Sequence, residues 1–322
     1  MLFCYLFIIT YYNIKKVQKT KLIAVVGPTA SGKSELAVEI AKKFGGEIVS
    51  ADSRQVYRGM DIGTAKITQD KMQGIPHHLL DIAKPTEQFT AADYVRLAKE
   101  TISGIAARGK LPIICGGTGF YIDALLHNIN IPKVPPQPEL RKELGRKSAE
   151  KLHKELRKRD PRRAENIDPQ NKRRLIRALE IVYATGKPVP KPADPAKAPY
   201  DVLFIGVSRT RETLKKRIAE RVDKRLGGIV QETKTLHDAR GVPWKRLDSF
   251  GLEYRWAARF LQRKVTRKEM RDKLITDTWR YAKKQLTWCE KHPVKWVKDT
   301  KEAAFLIQKS LKTPVVSLRE CE

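Results

Sequence analysis

Residues 22–37 read LIAVVGPTASGKSELA. The first five form a continuous apolar run, as expected of a strand buried on both faces of a parallel sheet. Gly27-x-x-x-x-Gly32-Lys33-Ser34 follows. KSELAVEIAKKF (33–44) then places Leu36, Ala37, Ile40, Ala41 and Phe44 at helical spacing. A buried strand, a glycine loop and an amphipathic helix in that order make a phosphate cradle. Glycines let backbone N–H groups converge on an anion, and the helix N-terminus adds its partial positive charge. Within the cradle, Gly27, Pro28, Thr29, Ala30, Ser31, Gly32, Lys33 and Ser34, the Lys33 ammonium is a point charge for phosphate and the Ser34 hydroxyl can ligate Mg²⁺. The cradle alone leaves open whose phosphate it holds.

Outward from this stretch, GEIVSADS (46–53) reads as a second strand ending in polar residues, and 91–110 as a helix closed by Gly109. LPIICGGTG (111–119) reads as a third buried strand running into a glycine turn. Such alternation predicts an α/β core, a parallel sheet of the P-loop type flanked by helices. NINIPKVPPQPEL (128–140) carries four prolines and marks a boundary. Basic helices follow from about 139 to 186. A second Pro-rich stretch, KPVPKPADPAKAPY, leads to strand-like DVLFIGVS (201–208) and helices to about 290. The expected organisation is an N-terminal extension (1–20), a core (21–132), an inserted all-helical subdomain (133–200), a return to the core (201–300) and a C-terminal tail (301–322).

The 322-residue chain is 41% apolar, enough to bury a core, yet it carries 65 Lys+Arg against 36 Asp+Glu, a net charge of +29. That excess points to a polyanionic partner, most often nucleic acid. Residues 1–140 contribute +5 and residues 141–322 the other +24, so the anion-binding surface belongs to the second half. Cys4, Cys115, Cys289 and Cys321 are widely separated, which argues against a zinc site or a disulfide framework and fits a reducing cytoplasm. The apolar run at the N-terminus is too short to span a bilayer as a helix, and it lacks a basic flank and a small-residue cleavage site. No stable membrane association is expected.

Asp52 falls at the carboxyl end of a strand, the edge where open α/β sheets bind ligands, and GGTGFY (116–121) sits on the same edge. GPTASGKS, SADSRQVYRGMDIGTAK, PHHLLDI, FTAADY and GGTGFYIDALL occur in order. Together with DPQNKRRLIRALEI (168–181), LKKRIAERVDKRL (214–226) and RYAKKQLTW (280–288), they resemble the tRNA dimethylallyltransferase (IPP transferase) family over about residues 21–297.

The resemblance implies that the N6 amine of adenosine 37, beside the tRNA anticodon, attacks C1 of dimethylallyl diphosphate and diphosphate leaves. Thr29, Lys33 and Arg217 are then the residues at the diphosphate, with Mg²⁺ on Ser34, and Asp52 is the general base. By the same resemblance, contacts to the tRNA fall on Asp52, Ser53, Arg54, Gln55, Thr118, Arg141, Arg173, Arg174 and Arg177. Departing from the family pattern, FGLEYRW (250–256) replaces a Gly-Tyr-Lys/Arg-Glu signature, and Lys284 stands where the family commonly has Arg. A monomer is the family expectation. The alternatives are a P-loop nucleoside or nucleotide kinase, which leaves the basic second half unexplained, and an isopentenyltransferase of free adenine nucleotides, which needs no such surface. A nucleic-acid-stimulated P-loop ATPase calls for an acidic residue where LPIICGGTG has glycine.

Overall fold

The run LIAVV lies inside β1 (Thr20–Val26), and none of its five residues is more than 1% exposed. The computed structural model describes residues 19–129, 131–132, 134–190 and 199–312. The N-terminal extension up to residue 18, residues 191–198 of the second Pro-rich stretch and residues 313–322 lie outside them. After the glycine loop come α1 (Lys33–Phe44), β2 (Gly46–Ser50), the short α2 (Gln69–Met72) and a two-residue strand, β3 (His77–His78). Next are α3 (Ala91–Ala107), β4 (Leu111–Cys115) and α4 (Gly119–Leu126). Four helices follow: α5 (Pro138–Arg146), α6 (Ala149–Arg159), α7 (Pro161–Glu165) and α8 (Lys172–Thr185). The chain closes with β5 (Tyr200–Val207), α9 (Arg211–Asp238), α10 (Trp244–Phe250), α11 (Leu252–Leu261), α12 (Arg267–Cys289), β6 (Lys295–Val297) and α13 (Thr300–Lys312).

Among the described residues six strands pair in the order β3-β2-β4-β1-β5-β6, and every pairing is parallel. Val25 lies opposite Cys115, and Ser50 lies opposite the same Cys115. The ends of β1, β2 and β4 are therefore level, and their loops leave from one edge. Backbone bonds join those loops: Ala51 N–H to the Cys115 carbonyl (2.8 Å), Gly116 N–H to the Val25 carbonyl (3.3 Å) and Thr118 N–H to the Ala51 carbonyl (3.1 Å).

The chain divides into two compact units. One takes in the described parts of 1–88, 100–119 and 199–322, the other those of 89–99 and 120–198. In the first, Ile23, Val25, Ile40, Ile48, Ile113 and Ile205 form one apolar cluster, and full burial of each such side chain stabilises by about 1.5–3 kcal/mol. Ala303 and Ile307 of α13 join that cluster. The stretch expected as a tail from 301 is thus, as far as Lys312, a core helix, because its few apolar residues fall on one stripe. The return to the core also includes β6, beyond the helices that the sequence suggests. A second cluster in this unit joins Val222, Leu226 and Ile229 of α9 to Ala257, Met270 and Leu274.

In the other unit Leu144, Leu152, Leu156, Leu175 and Leu179 make a small core. The strongly charged α6, AEKLHKELRKR, buries Leu152 and Leu156 and exposes Arg157, Lys158 and Arg159. Its four-residue apolar spacing sends the basic groups to solvent.

Candidate active site

The cradle adopts the bent backbone that its glycines permit, with φ 136° at Gly27 and 102° at Gly32 and a left-handed Ala30 at 64°. Ser31 N–H donates to the Pro28 carbonyl (3.3 Å), and the Lys33 ammonium donates to that same oxygen (3.3 Å). Burial, the largest cause, lowers the Lys33 pKa; Cys115 opposes the shift and Arg221 adds to it. A desolvated cation with a carbonyl as its hydrogen-bond partner gains most from an incoming anion. The Cys115 thiol, beside the Lys33 carbonyl, is pushed up to about 11 by burial and is no nucleophile.

Asp52 leaves the end of β2 in a turn of its own making. Its Oδ1 accepts the N–H groups of Arg54 (2.8 Å) and Gln55 (3.3 Å), and Oδ2 accepts no hydrogen bond from the described residues. Two backbone donors hold one oxygen and leave the other available. Thr118 Oγ1, from the turn after β4, accepts the Ser53 N–H at 3.0 Å, so the Asp52 turn and the glycine turn are fixed to each other. Arg54 turns away, donating to the Phe250 carbonyl (2.8 Å) with its guanidinium 5.6 Å from the Phe250 ring centre. Gln55 donates to the Thr64 carbonyl (3.3 Å).

A cavity of about 80 Å³ collects Thr29, Lys33, Ser34, Ser50, Asp52 and Arg221 in its wall. A larger one, about 740 Å³, is lined by Gly32, Lys33 and Ser34 and by Arg217, Arg221 and Arg225 of α9. These arginines, four residues apart, occupy one helix face. Their depths differ. Of these two cavities the exposed Arg217 borders the larger and not the smaller, whereas Arg221 is half-buried, borders both and donates to Thr29 Oγ1 (3.4 Å). Burial lowers the Arg221 pKa, and burial together with Arg221 pushes Arg225 down to about 10. Arg221 joins the candidate site residues, although the sequence analysis names only Arg217 on this helix. The shared i, i+4 spacing was the available signal.

The departure at FGLEYRW also finds a place. Tyr254 lies against Gly63, where a Cβ would come within 2.5 Å of the hydroxyl end of the ring, and its hydroxyl donates to Glu232 Oε1 (2.7 Å). Lys284 carries no part of this network.

Ser34 can hold a divalent cation beside a bound diphosphate, and the chemistry of the cavity fits one. The Ser50 hydroxyl in the same wall is buried and meets no partner among the described residues, a group that a metal-bound water would satisfy.

The remaining predicted residues lie in the other unit. Glu180, 0% exposed, accepts a two-pronged pair from Arg141 (2.7 and 2.7 Å), one bond from Arg177 (2.5 Å) and the Gln137 N–H (2.6 Å). Burial works to raise its pKa, but Arg141, the Gln137 N–H and Arg177 outweigh it and hold the carboxyl below its usual range. Arg173 and Arg174 are exposed in the first turn of α8, whose Asn171 side chain caps the Arg174 N–H (3.2 Å).

Comparison with known proteins gives a consistent set. The sequence model of the family described as IPP transferase matches residues 55–292. A tRNA dimethylallyltransferase of Geobacillus thermodenitrificans is 40% identical over 296 residues, covering 89% of this chain and 93% of its own. That of Halalkalibacterium halodurans is 44% identical over 279 residues, covering 84% and 88%. The solved tRNA isopentenylpyrophosphate transferase of Bacillus halodurans superposes with a TM-score of 0.69 at 40% identity, over 91% of this chain and 97% of that one. A eukaryotic dimethylallyltransferase acting on tRNA superposes with a TM-score of 0.77 at 25% identity, over 93% and 81%.

Proposed function

The chain belongs to the IPP transferase family and is a prenyltransferase of tRNA; from that premise we propose that it moves the dimethylallyl group of dimethylallyl diphosphate to N6 of adenosine 37 in the anticodon loop. One observation carries this reading. A single cavity wall holds Thr29, Lys33, Ser34 and Arg221 together with Asp52. Cations and donors stand where a diphosphate would leave, and a carboxylate stands where a nucleophile would lose its proton.

The adenine N6 lone pair attacks C1, the C1–O bond breaks and its electrons leave on the diphosphate. Negative charge grows on the bridging oxygen, where the Thr29 hydroxyl and Arg221 stabilise it, with Lys33, the loop amides and Arg217 on the outer oxygens. Mg²⁺ on Ser34 would add charge neutralisation for the diphosphate. The N6 amine is a weak nucleophile because its lone pair is delocalised into the ring. Asp52 Oδ2 takes its proton as the new bond forms, while Oδ1 stays fixed by two backbone N–H groups. Adenosine 37 must leave the loop stack to reach this cavity, a smaller cost than extrusion from a duplex. Ser53, Arg54, Gln55 and Thr118 then lie along its path.

Residues 133–200 act as the tRNA-gripping insertion between the two parts of the core. Arg173 and Arg174 meet phosphates directly, and Glu180 sets the approach of Arg141 and Arg177. Among the described residues no helix is long and apolar enough to cross a membrane, and the same reading has the protein act in the cytoplasm as a monomer. The test is incubation with unmodified tRNA, Mg²⁺ and labelled dimethylallyl diphosphate, followed by nucleoside analysis. Label on N6-modified adenosine is expected; its absence with demonstrably folded protein refutes the reading.

A further inference from the structure

Tyr281 and Gln285 of α12 are four residues apart, with Trp288 three further on, so one helix face carries all three. That face meets the loops after β1 and β4. Gln285 is 6% exposed. Its Oε1 accepts the N–H of Thr29 (2.8 Å), and its Nε2 donates to the Gly117 carbonyl (3.0 Å). The Tyr281 hydroxyl donates to the same carbonyl (3.3 Å). A Cβ on Gly117 would lie 2.0 Å from Gln285 Nε2, so this approach requires glycine there. Trp288 likewise fills the space beside Gly119.

The two loops joined by this amide serve opposite ends of the reaction. Thr29 belongs to the cradle, and its hydroxyl faces Arg221. Gly117 precedes Thr118, whose hydroxyl holds the Ser53 N–H beside Asp52. We propose that Gln285 is a positioning residue, a crossbar that fixes the span between the leaving-group cradle and the base, and so the line along which N6, C1 and the bridging oxygen must fall. The inference rests on the reaction given above and deepens it.

A primary amide suits the task because it has an acceptor and a donor at opposite corners of one rigid plane. Leucine at the position supplies neither bond. Glutamate keeps the acceptor for Thr29 N–H but turns a second acceptor toward the Gly117 carbonyl. Protonation of that carboxyl would restore the donor. Burial and a facing carbonyl both favour the protonated form, so the restoration grows as pH falls. Wild-type enzyme carries no such titration at this position. Donor affinity comes from Lys33, Ser34 and the loop amides, so loss of the crossbar should appear in kcat and leave KM for the donor in place.

The experiment compares kcat and donor KM for wild type, Gln285→Glu and Gln285→Leu with unmodified tRNA, from mildly acidic to mildly alkaline pH. At neutral pH both variants should lose roughly 10- to 100-fold in kcat, the scale of an ångström-sized misplacement, with donor KM within about threefold of wild type. The ratio of Gln285→Glu to wild-type kcat should climb as pH falls; taking the ratio cancels pH effects common to the two enzymes. A flat ratio, or a loss confined to KM, overturns the crossbar even if Gln285→Leu fails to fold. Absence of transfer by wild-type protein would overturn the reaction and the crossbar with it.

Discussion

Replacing Glu232 by Gln tests how the roof of the larger cavity is held. The loop carrying Ile62, Ala65 and Lys66 lines that cavity, and α9 ties it down at two points. Glu232 Oε2 accepts the N–H groups of Asp61 (2.8 Å) and Ile62 (2.6 Å), and Oε1 accepts those of Gly63 (2.9 Å) and the Tyr254 hydroxyl (2.7 Å). Arg225 donates to the carbonyls of Ile62 and Gly63. Glutamine has one acceptor oxygen in place of two. If it serves Asp61 and Ile62, the Gly63 N–H faces an NH₂ group and is stranded. The Tyr254 hydroxyl can rotate and accept instead. The stranded donor costs about 1 kcal/mol, the low end of the usual range because the loop is partly exposed, and loss of charge from the other two bonds costs about 1 kcal/mol each.

The sum is about 3 kcal/mol on local opening, or about 100-fold in the opening equilibrium. Amide hydrogen exchange is the assay. The amides of Asp61, Ile62 and Gly63 should exchange about 100-fold faster in Glu232→Gln, while those of β1 and β4 keep wild-type rates, and donor KM should rise. Exchange at the three amides changed by less than about threefold would show that Glu232 does not hold the loop.

Asp52→Asn should lower single-turnover transfer by roughly 10²- to 10⁴-fold with little loss of tRNA affinity, because an asparagine oxygen can still accept from Arg54 and Gln55; near-wild-type turnover removes Asp52 from the base role. Arg221→Gln should cost roughly 10²- to 10³-fold in kcat and Arg217→Gln much less, since of the two only Arg221 reaches Thr29; the opposite order would reverse the assignment. Glu180→Ala leaves Arg141 and Arg177 without their anion. The usual cost of breaking a buried pair, discounted because both arginines are partly exposed, is about 2 kcal/mol, read as an earlier melt of the helical unit. Because the Glu180 carboxyl is held below its usual range, that contribution is present above the ordinary carboxylate pKa and fades as pH falls through the folded value. The difference in melting between wild type and Glu180→Ala should therefore shrink in acid, and a constant difference would refute the ion-pair account.

What the sequence makes legible is local. LIAVV declares a buried strand, the glycine spacing declares the cradle, and Asp52 is recognisable because strand ends collect ligands. What it hides is depth and long-range pairing. LKKRIAERVDKRL presents Arg217, Arg221 and Arg225 on one face, and nothing in the spacing tells which one a neighbouring loop covers. Gln285 and Thr29 are 256 residues apart, so their bond exists only once the sheet has brought α12 over the cradle. Glu232 is one acidic residue among basic ones until three N–H groups converge on it. β3 has two residues and no period to detect. KEAAFLIQKSLK reads as a charged tail because its inward-facing residues are few: Ala303, Ala304 and Ile307 are buried, and Leu306 packs partly buried against the core.

The neighbouring strand also explains why this cradle serves carbon chemistry. In P-loop enzymes that transfer a phosphoryl group, a strand-end aspartate helps to hold the metal on the phosphates. Here β4, which pairs with β1, ends at Cys115, and Gly116 follows it. A Cβ on Gly116 would come within 2.3 Å of the Ala51 carbonyl oxygen, so the room an acidic side chain would need is taken by the backbone leading to Asp52. The site's carboxylate arrives from β2, one strand further out, with its free oxygen turned away from the two amides that hold the other. Charge is thereby divided. On the proposed assignment the cations serve the oxygens where diphosphate accumulates electrons, and the Asp52 carboxylate of the same cavity wall takes the proton that the attacking amine sheds. Phosphoryl transfer would call for the negative group beside the metal, and the division seen here suits a donor whose carbon is attacked and whose phosphates leave intact.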